Sequence, residues 1–172
     1  MKEPAKRRPP PPVLDDIDRQ ILRLLQADGR MTNAALADAV GLTATPMLAR
    51  IKKLEQSGVI QRYAAIVDRS AVGNGTLAYA EVKLAEHRLP THTKFVEAVC
   101  AFPEVLEVHH VAGDEDFLLK VVARDIEEYE HFLLHRLTRV PGIDRVTTTF
   151  VLSTRKAETA LPIGARPEED DA

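Results

Sequence analysis

Thr43, Ala44, Thr45 and Pro46 stand just ahead of Arg50, Lys52 and Lys53 in the run TATPMLARIKK. On one helix, the first four fall at its opening turn and the cations follow one and two turns later. Small residues such as Ala44 and Ala49 allow close approach of the backbone to a partner. A guanidinium donates two hydrogen bonds to a guanine edge or holds a phosphate, and ammonium groups suit phosphates. This chemistry is recognition rather than bond-making. It fits a helix lying in a DNA major groove with its first turns at base edges. Arg30, in the preceding turn, joins these candidates.

The elements that must hold this helix are legible on both sides. Thr32 or Asn33 can cap a helix over the run AALADAV, whose Leu36 and Val40 share one face. Gly41 ends it, because glycine accepts the left-handed backbone there. Thr43 caps the next helix, and Pro46 falls in its first turn, where a missing N–H does no harm. Met47, Ile51 and Leu54 make an inward stripe, and Thr45, Ala49, Arg50, Lys52 and Lys53 face outward. Gly58 closes the helix. Upstream, LDDIDRQILRLLQADGR places Ile17, Ile21, Leu24 and Leu25 at helical spacing, with Asp15 and Asp16 at the favourable end of the dipole. Downstream, VIQRYAAIVD is a β-prone run suited to a wing. Three helices and a wing make a winged helix-turn-helix. An ordinary helical hairpin with a solvated basic face is the plainer alternative.

The charge distribution agrees with the DNA reading. The chain has 172 residues and a formal net charge of −3. Residues 1–68 hold 11 Lys and Arg against 8 Asp and Glu, whereas residues 69–172 hold 12 against 18. The cationic half coincides with the helix pair. Cys100, the single cysteine, excludes an internal disulfide and a thiolate cluster; in the apolar run VEAVCAF it reads as an inert core residue. No apolar run approaches the roughly 20 residues that span a bilayer. The basic N-terminus lacks the apolar segment of a secretory signal. These features imply a reducing, cytoplasmic setting.

After a Gly- and Asn-containing linker the second half alternates strand, helix, strand, strand, helix, strand. The expected fold class is α+β: a winged helix-turn-helix followed by a ferredoxin-like βαββαβ sandwich with both helices on one face. Phe95, Val99 and Phe102 point inward from the first of these helices, and Tyr129, Phe132, Leu133 and Leu137 from the second. The bare sheet face calls for a second subunit.

LDDIDRQIL, LLQADGR, LADAVGLTATPMLARIKKLEQSGVI, HHVAGDEDFLLKV and VPGIDRVTTTFVLS, ending near LPI, together resemble the Lrp/AsnC family of transcription factors from Leu14 to Ile163. The resemblance implies a ligand-responsive, sequence-specific DNA-binding regulator whose second half is a RAM module. That module would join subunits into dimers, then tetramers or octamers, and take a small effector, usually an amino acid, between modules. The loop Ala112, Gly113, Asp114, Glu115, Asp116 and Phe117 matches the family's ligand loop, with Thr149, Phe150 and Val151 lining the same contact. Gly113 would admit backbone approach, and Asp116 would pair with an α-amino group. Ala112 and Phe117 stand where the family often has hydroxyl-bearing residues, so an effector would be held differently or be less polar. The implied partners are double-stranded DNA, further copies of this chain and the effector, with no other cofactor. The expected boundaries are a disordered basic tail at 1–13, the DNA-binding domain at 14–68, a linker at 69–76, the RAM domain at 77–155, and a C-terminal segment with an acidic tail at 156–172.

Other patterns are weaker. His109 and His110 are neighbours on a strand and point to opposite faces. His131 and His135 have a zinc-compatible spacing but no third ligand. Ser153 and Thr154 lack a nucleophile motif, and no phosphate-binding glycine loop is present. The expectation is therefore no enzyme and no metal. Two competing readings are a sensing module that docks on a metabolic enzyme, and an enzyme built on the sandwich.

Overall fold

The computed structural model describes residues 12–86 and 89–164. The Pro-rich and acidic tails of the sequence reading lie outside these residues, apart from Pro12 and Val13. The described residues form two units, one from 12–65 with 158–164 and the other within 66–157.

The first unit is helical. α1 spans Asp16–Ala27, α2 Asn33–Val40 and α3 Ala44–Gln56. Asp15 caps α1 through a reciprocal box with Asp18: each side chain accepts from the other's backbone N–H. Thr32 caps α2 by accepting from the Ala35 N–H. Thr43 occupies the cap position of α3 but makes no side-chain bond there. Gly41 sits at φ 71°, in the left-handed region, and turns the chain between α2 and α3. Ile21, Leu36, Met47, Ile51 and Leu54 form the buried centre.

Two features differ from the sequence reading. The strand expected over VIQRYAAIVD does not form: no strand occurs in this unit among the described residues. Val59 and Ile60 pack against the helical core, whereas Ile66 and Val67 further along stay 78% and 60% exposed. A single β-prone run has no ladder without a partner edge. The C-terminal segment, for which the sequence reading named no contact, returns to the helical unit. The Gln26 amide brackets Leu161, donating to its carbonyl at 3.0 Å and accepting from its N–H at 2.6 Å. Arg23 donates twice to the Ile163 carbonyl, at 3.0 and 2.9 Å, and Ile163 packs against the apolar centre.

The second unit has the expected element order: β1 Thr76–Leu84, α4 Leu89–Cys100, β2 Val105–His110, β3 Phe117–Ala123, α5 Ile126–His135 and β4 Ile143–Phe150. The sheet is antiparallel throughout, in the order β2-β3-β1-β4. Ala78, Ala80, Val82 and Leu84 of β1 join Phe117, Leu119 and Val121 of β3 beneath Phe95, Val99, Tyr129 and Phe132. Both helices thus cover one face. α5 stops earlier than its apolar pattern suggests, and Leu137–Arg139 form a 3-10 turn. Gly142 opens β4 at φ 94°; a Cβ there would meet Thr91 Cγ2 at 2.6 Å. Cys100 is exposed, not a core residue. The inward positions of α4 go to Phe95 and Val99, so the helical period turns Cys100 outward.

The docked C-terminal segment yields a test. Ile163→Ala should lower the melting temperature of the helical unit by roughly 4–8 °C, from about 1 kcal/mol of lost burial. Gln26→Ala should act in the same direction. Calorimetry that found both variants unchanged would show that the segment adds nothing to the unit.

Candidate nucleic-acid interface and effector loop

α3 divides its residues by face. Met47, Ile51 and Leu54 are buried, whereas Ala44, Thr45, Pro46, Leu48, Ala49, Lys52 and Lys53 are exposed, as are Thr43 before it and Arg30 in the earlier turn. The outward surface has small residues at its start and ammonium groups beyond.

Arg50 does not belong to that surface as expected. Its Nη1 lies 2.6 Å from Asp15 Oδ2 and 2.7 Å from Asp18 Oδ1, and its side chain is only 27% exposed. Asp18 is fully buried. Its other oxygen lies 3.7 Å from Lys53 Nζ, whose side chain is mostly exposed. A buried carboxylate must be paired or neutralised, so the guanidinium is drawn inward to bind α1 to α3. Asp15 is held below its ordinary carboxylate value, first by the Asp18 N–H and then by Arg50. The same two carboxylates raise Arg50. The sequence carried a signal of this pair: Asp18 borders the Ile17 and Ile21 stripe, where a lone carboxylate has no place.

The effector loop connects β2 to β3. Gly113 and Asp114, with Glu81, Val111, Glu115 and Leu118, line an open groove. Ala112, Gly113 and Asp114 are exposed. Asp116, expected to hold an amino group, accepts instead from the Leu84 N–H at 2.8 Å through Oδ2 and so anchors the loop to β1. Phe117 is buried against Phe95 and takes no part in the groove. Its position in β3 opposite Val82 dictates this, since the alternate residues there face the helices. Sequence reasoning missed Glu81, Leu118 and Arg145. Arg145 pairs with Glu115 Oε1, while Glu115 Oε2 is out of solvent without a hydrogen-bond partner.

The β4 positions lie elsewhere. Thr149 is exposed, and Phe150 packs edge-on against Tyr129 on the helix side of the sheet. The Val151 N–H donates to Leu77 O, whereas the Asp116 N–H donates to Val82 O. Five residues of β1 separate those anchors, roughly 16 Å. None of Thr149, Phe150 and Val151 lines the groove beside the loop.

Residues 14–61 match the pattern described as winged helix-turn-helix DNA-binding, and residues 77–161 match the Lrp/AsnC ligand binding domain. The chain belongs to the Lrp/AsnC family. The DNA-binding transcriptional activator DecR of Escherichia coli is 38% identical over 151 residues, covering 88% of this chain and 99% of DecR. The leucine-responsive regulatory protein of the same species is 37% identical over 162 residues, covering 94% and 98%. A Neisseria meningitidis transcriptional regulator, solved in complex with L-Met, superposes with a TM-score of 0.82 at 34% identity, covering 87% of this chain and 97% of that one. This Lrp/AsnC chain is thus a DNA-binding transcriptional regulator with a ligand-binding module. No helix among the described residues is long and apolar enough to cross a membrane, and no group of three or more metal-ligating side chains occurs among them.

The buried pair can be tested directly. Arg50→Ala should destabilise the helical unit by about 3 kcal/mol, because the buried Asp18 loses its nearest cationic partner. Asp18→Ala/Arg50→Ala should be milder than Arg50→Ala alone; urea denaturation that ranked them the other way would refute the pairing. Asp15 adds a pH dependence. Its lowered value means its contribution is present above the ordinary carboxylate value of 3.8 and is lost as pH falls through the depressed one. Acid titration of melting temperature should show that loss in the wild type and a flatter curve in Asp15→Asn.

Proposed function

We propose that this Lrp/AsnC regulator acts as an oligomer whose DNA binding responds to an amino acid. Thr43, Ala44, Thr45 and Pro46 would bring the start of α3 to the groove, with Lys52, Lys53 and Arg30 on phosphates. The observation that carries the DNA part is the exposed outer face of α3, small-residued at its start and cationic beyond it. A dimer would set two such helices on half-sites about one helical turn apart, in the cytoplasm where the chromosome lies.

Assembly would also complete the effector site. Within one chain the groove beside the loop takes no lining from Thr149, Phe150 or Val151. The loop of one copy and Thr149 and Val151 of another could line one site between modules. Within the loop we assign the amino group to Asp114 and Glu115 rather than Asp116, whose Oδ2 is committed to Leu84. Glu115 Oε2 offers an acceptor that still lacks a donor. The neighbour solved with L-Met supports an amino acid as the ligand class. Effector binding would shift the balance of assembly states and so the spacing of the DNA-reading helices.

Thermal-shift titration with each of the twenty amino acids tests the effector. At about 100 times its dissociation constant a ligand of the native state adds about 2.7 kcal/mol, a readily seen rise in melting temperature. Glu115→Gln should lose most of that rise while keeping the DNA-bound state; no rise with any amino acid would overturn this part. Gel shifts against the upstream region of the chain's own gene at two salt concentrations should show a steep salt slope. Sedimentation that found only monomer would overturn the composite site.

A further inference from the structure

Major-groove helices commonly read guanine with arginine and adenine with asparagine or glutamine. α3 contains one arginine, and its Nη1 is within 2.7 Å of two carboxylates of the α1 cap. Turning Arg50 to a base would leave the fully buried Asp18 without its main partner. The first two turns of α3 are the part that meets base edges, and they present Ala44, Thr45, Leu48 and Ala49 outward. Thr45 and Ala49 lie directly opposite the buried Met47, Ile51 and Leu54 stripe. Leu48 lies to one side, lining a groove with Met31, Leu36 and Tyr63. The centre of the reading face therefore displays methyl groups and a single hydroxyl. In the major groove the matching apolar feature is the C5 methyl of thymine, which alanine and threonine methyls contact.

We propose that Thr45 and Ala49 read thymine methyl groups, so that A·T pairs at fixed steps of each half-site set the sequence preference, and that Arg50 is a positioning residue rather than a base reader. This rests on α3 entering the major groove. The alanine at the centre sets a short distance: a larger side chain there holds the helix axis away from the base edges. Lys52, beyond it, then falls beside the phosphates and adds affinity without sequence preference.

The test uses the full chain and a pool of random duplexes of about 40 base pairs, a length chosen to exceed two half-sites one turn apart. The most enriched duplex is remade with deoxyuridine in place of each thymidine in turn, which removes the methyl and nothing else. At one or two thymines per half-site the affinity should fall about fourfold, the equivalent of one buried methyl group. Thr45→Ser keeps the hydroxyl and removes the methyl, and should abolish the penalty at one of those positions; Ala49→Gly should abolish it at another. Arg50→Gln should lower the melting temperature yet enrich the same sequences. Uracil tolerated at every position overturns the proposal. So does an enriched guanine whose preference disappears in Arg50→Gln, since the guanidinium would then have left Asp18 for the base. Salt-sensitive binding without any enriched sequence overturns base reading alone, whereas retention of no duplex at low salt overturns the groove reading beneath it.

Discussion

A fully buried carboxylate governs the architecture of the DNA-reading unit. Asp18 lies buried at the start of α1, and Arg50 reaches across from α3 to pair with it, with Lys53 at 3.7 Å from its other oxygen. The pair fixes the start of α1 against the middle of α3, and the capping box places Asp15 so that it shares the same guanidinium. Three consequences follow from one contact. The inclination of α3 is set at a point away from its DNA-facing surface. The strongest hydrogen-bonding side chain of that helix is withdrawn from the surface. What remains outward is a set of small residues followed by flexible ammonium groups. Stability of the unit and character of its reading face are thus two results of the same pairing.

In the sandwich unit the corresponding constraint is the alternation of β1. Ala78, Ala80, Val82 and Leu84 face the helices, which obliges Leu77, Tyr79, Glu81 and Lys83 to face the other way. Glu81 consequently stands in the groove beside the loop. The same strand acts as a ruler. The loop is pinned near Val82 and Leu84, and the chain beyond β4 near Leu77. Hydrogen bonds to a twisted sheet leave neither anchor free to slide, because a shift of one residue would reverse every side chain.

Much of this was legible from residue spacing, and the exceptions share a cause. Helical and strand periods located α1 to α3, the two sandwich helices and all four sandwich strands, because a buried stripe leaves its period in the chain. Gly41 was legible because few residues accept its backbone. Arg50 was misplaced because its spacing puts it at the border between faces, and the partner that decides the matter lies 32 residues earlier. Cys100 was misplaced because an apolar run was read as uniformly inward, although a helix one layer deep buries only the positions beside Phe95 and Val99. The wing strand was over-read, since β propensity describes a residue's fit to a sheet and not the presence of a neighbouring edge. Asp116 kept its place in the loop, and its Oδ2 also anchors the loop to β1: spacing shows which residues share a turn, not which of their oxygens a backbone amide has already taken.

The returning C-terminal segment was the least legible element, and its recognition chemistry explains why. Gln26 and Arg23 hold the backbone atoms of Leu161 and Ile163, so all three polar groups involved on the segment are peptide carbonyls or amides that any residue supplies. Only Ile163 contributes a side chain, one apolar anchor in an extended stretch. Such a segment has no period, no cap and no charge pattern to announce it. Its seat was visible only from the other partner: α1 carries Arg23 and Gln26 one turn apart on an outer face, a spacing suited to bracketing an extended chain. The helical unit is therefore built from two stretches of sequence far apart. The helix whose first turn secures the DNA-reading helix thus uses its last turns to hold Leu161 and Ile163.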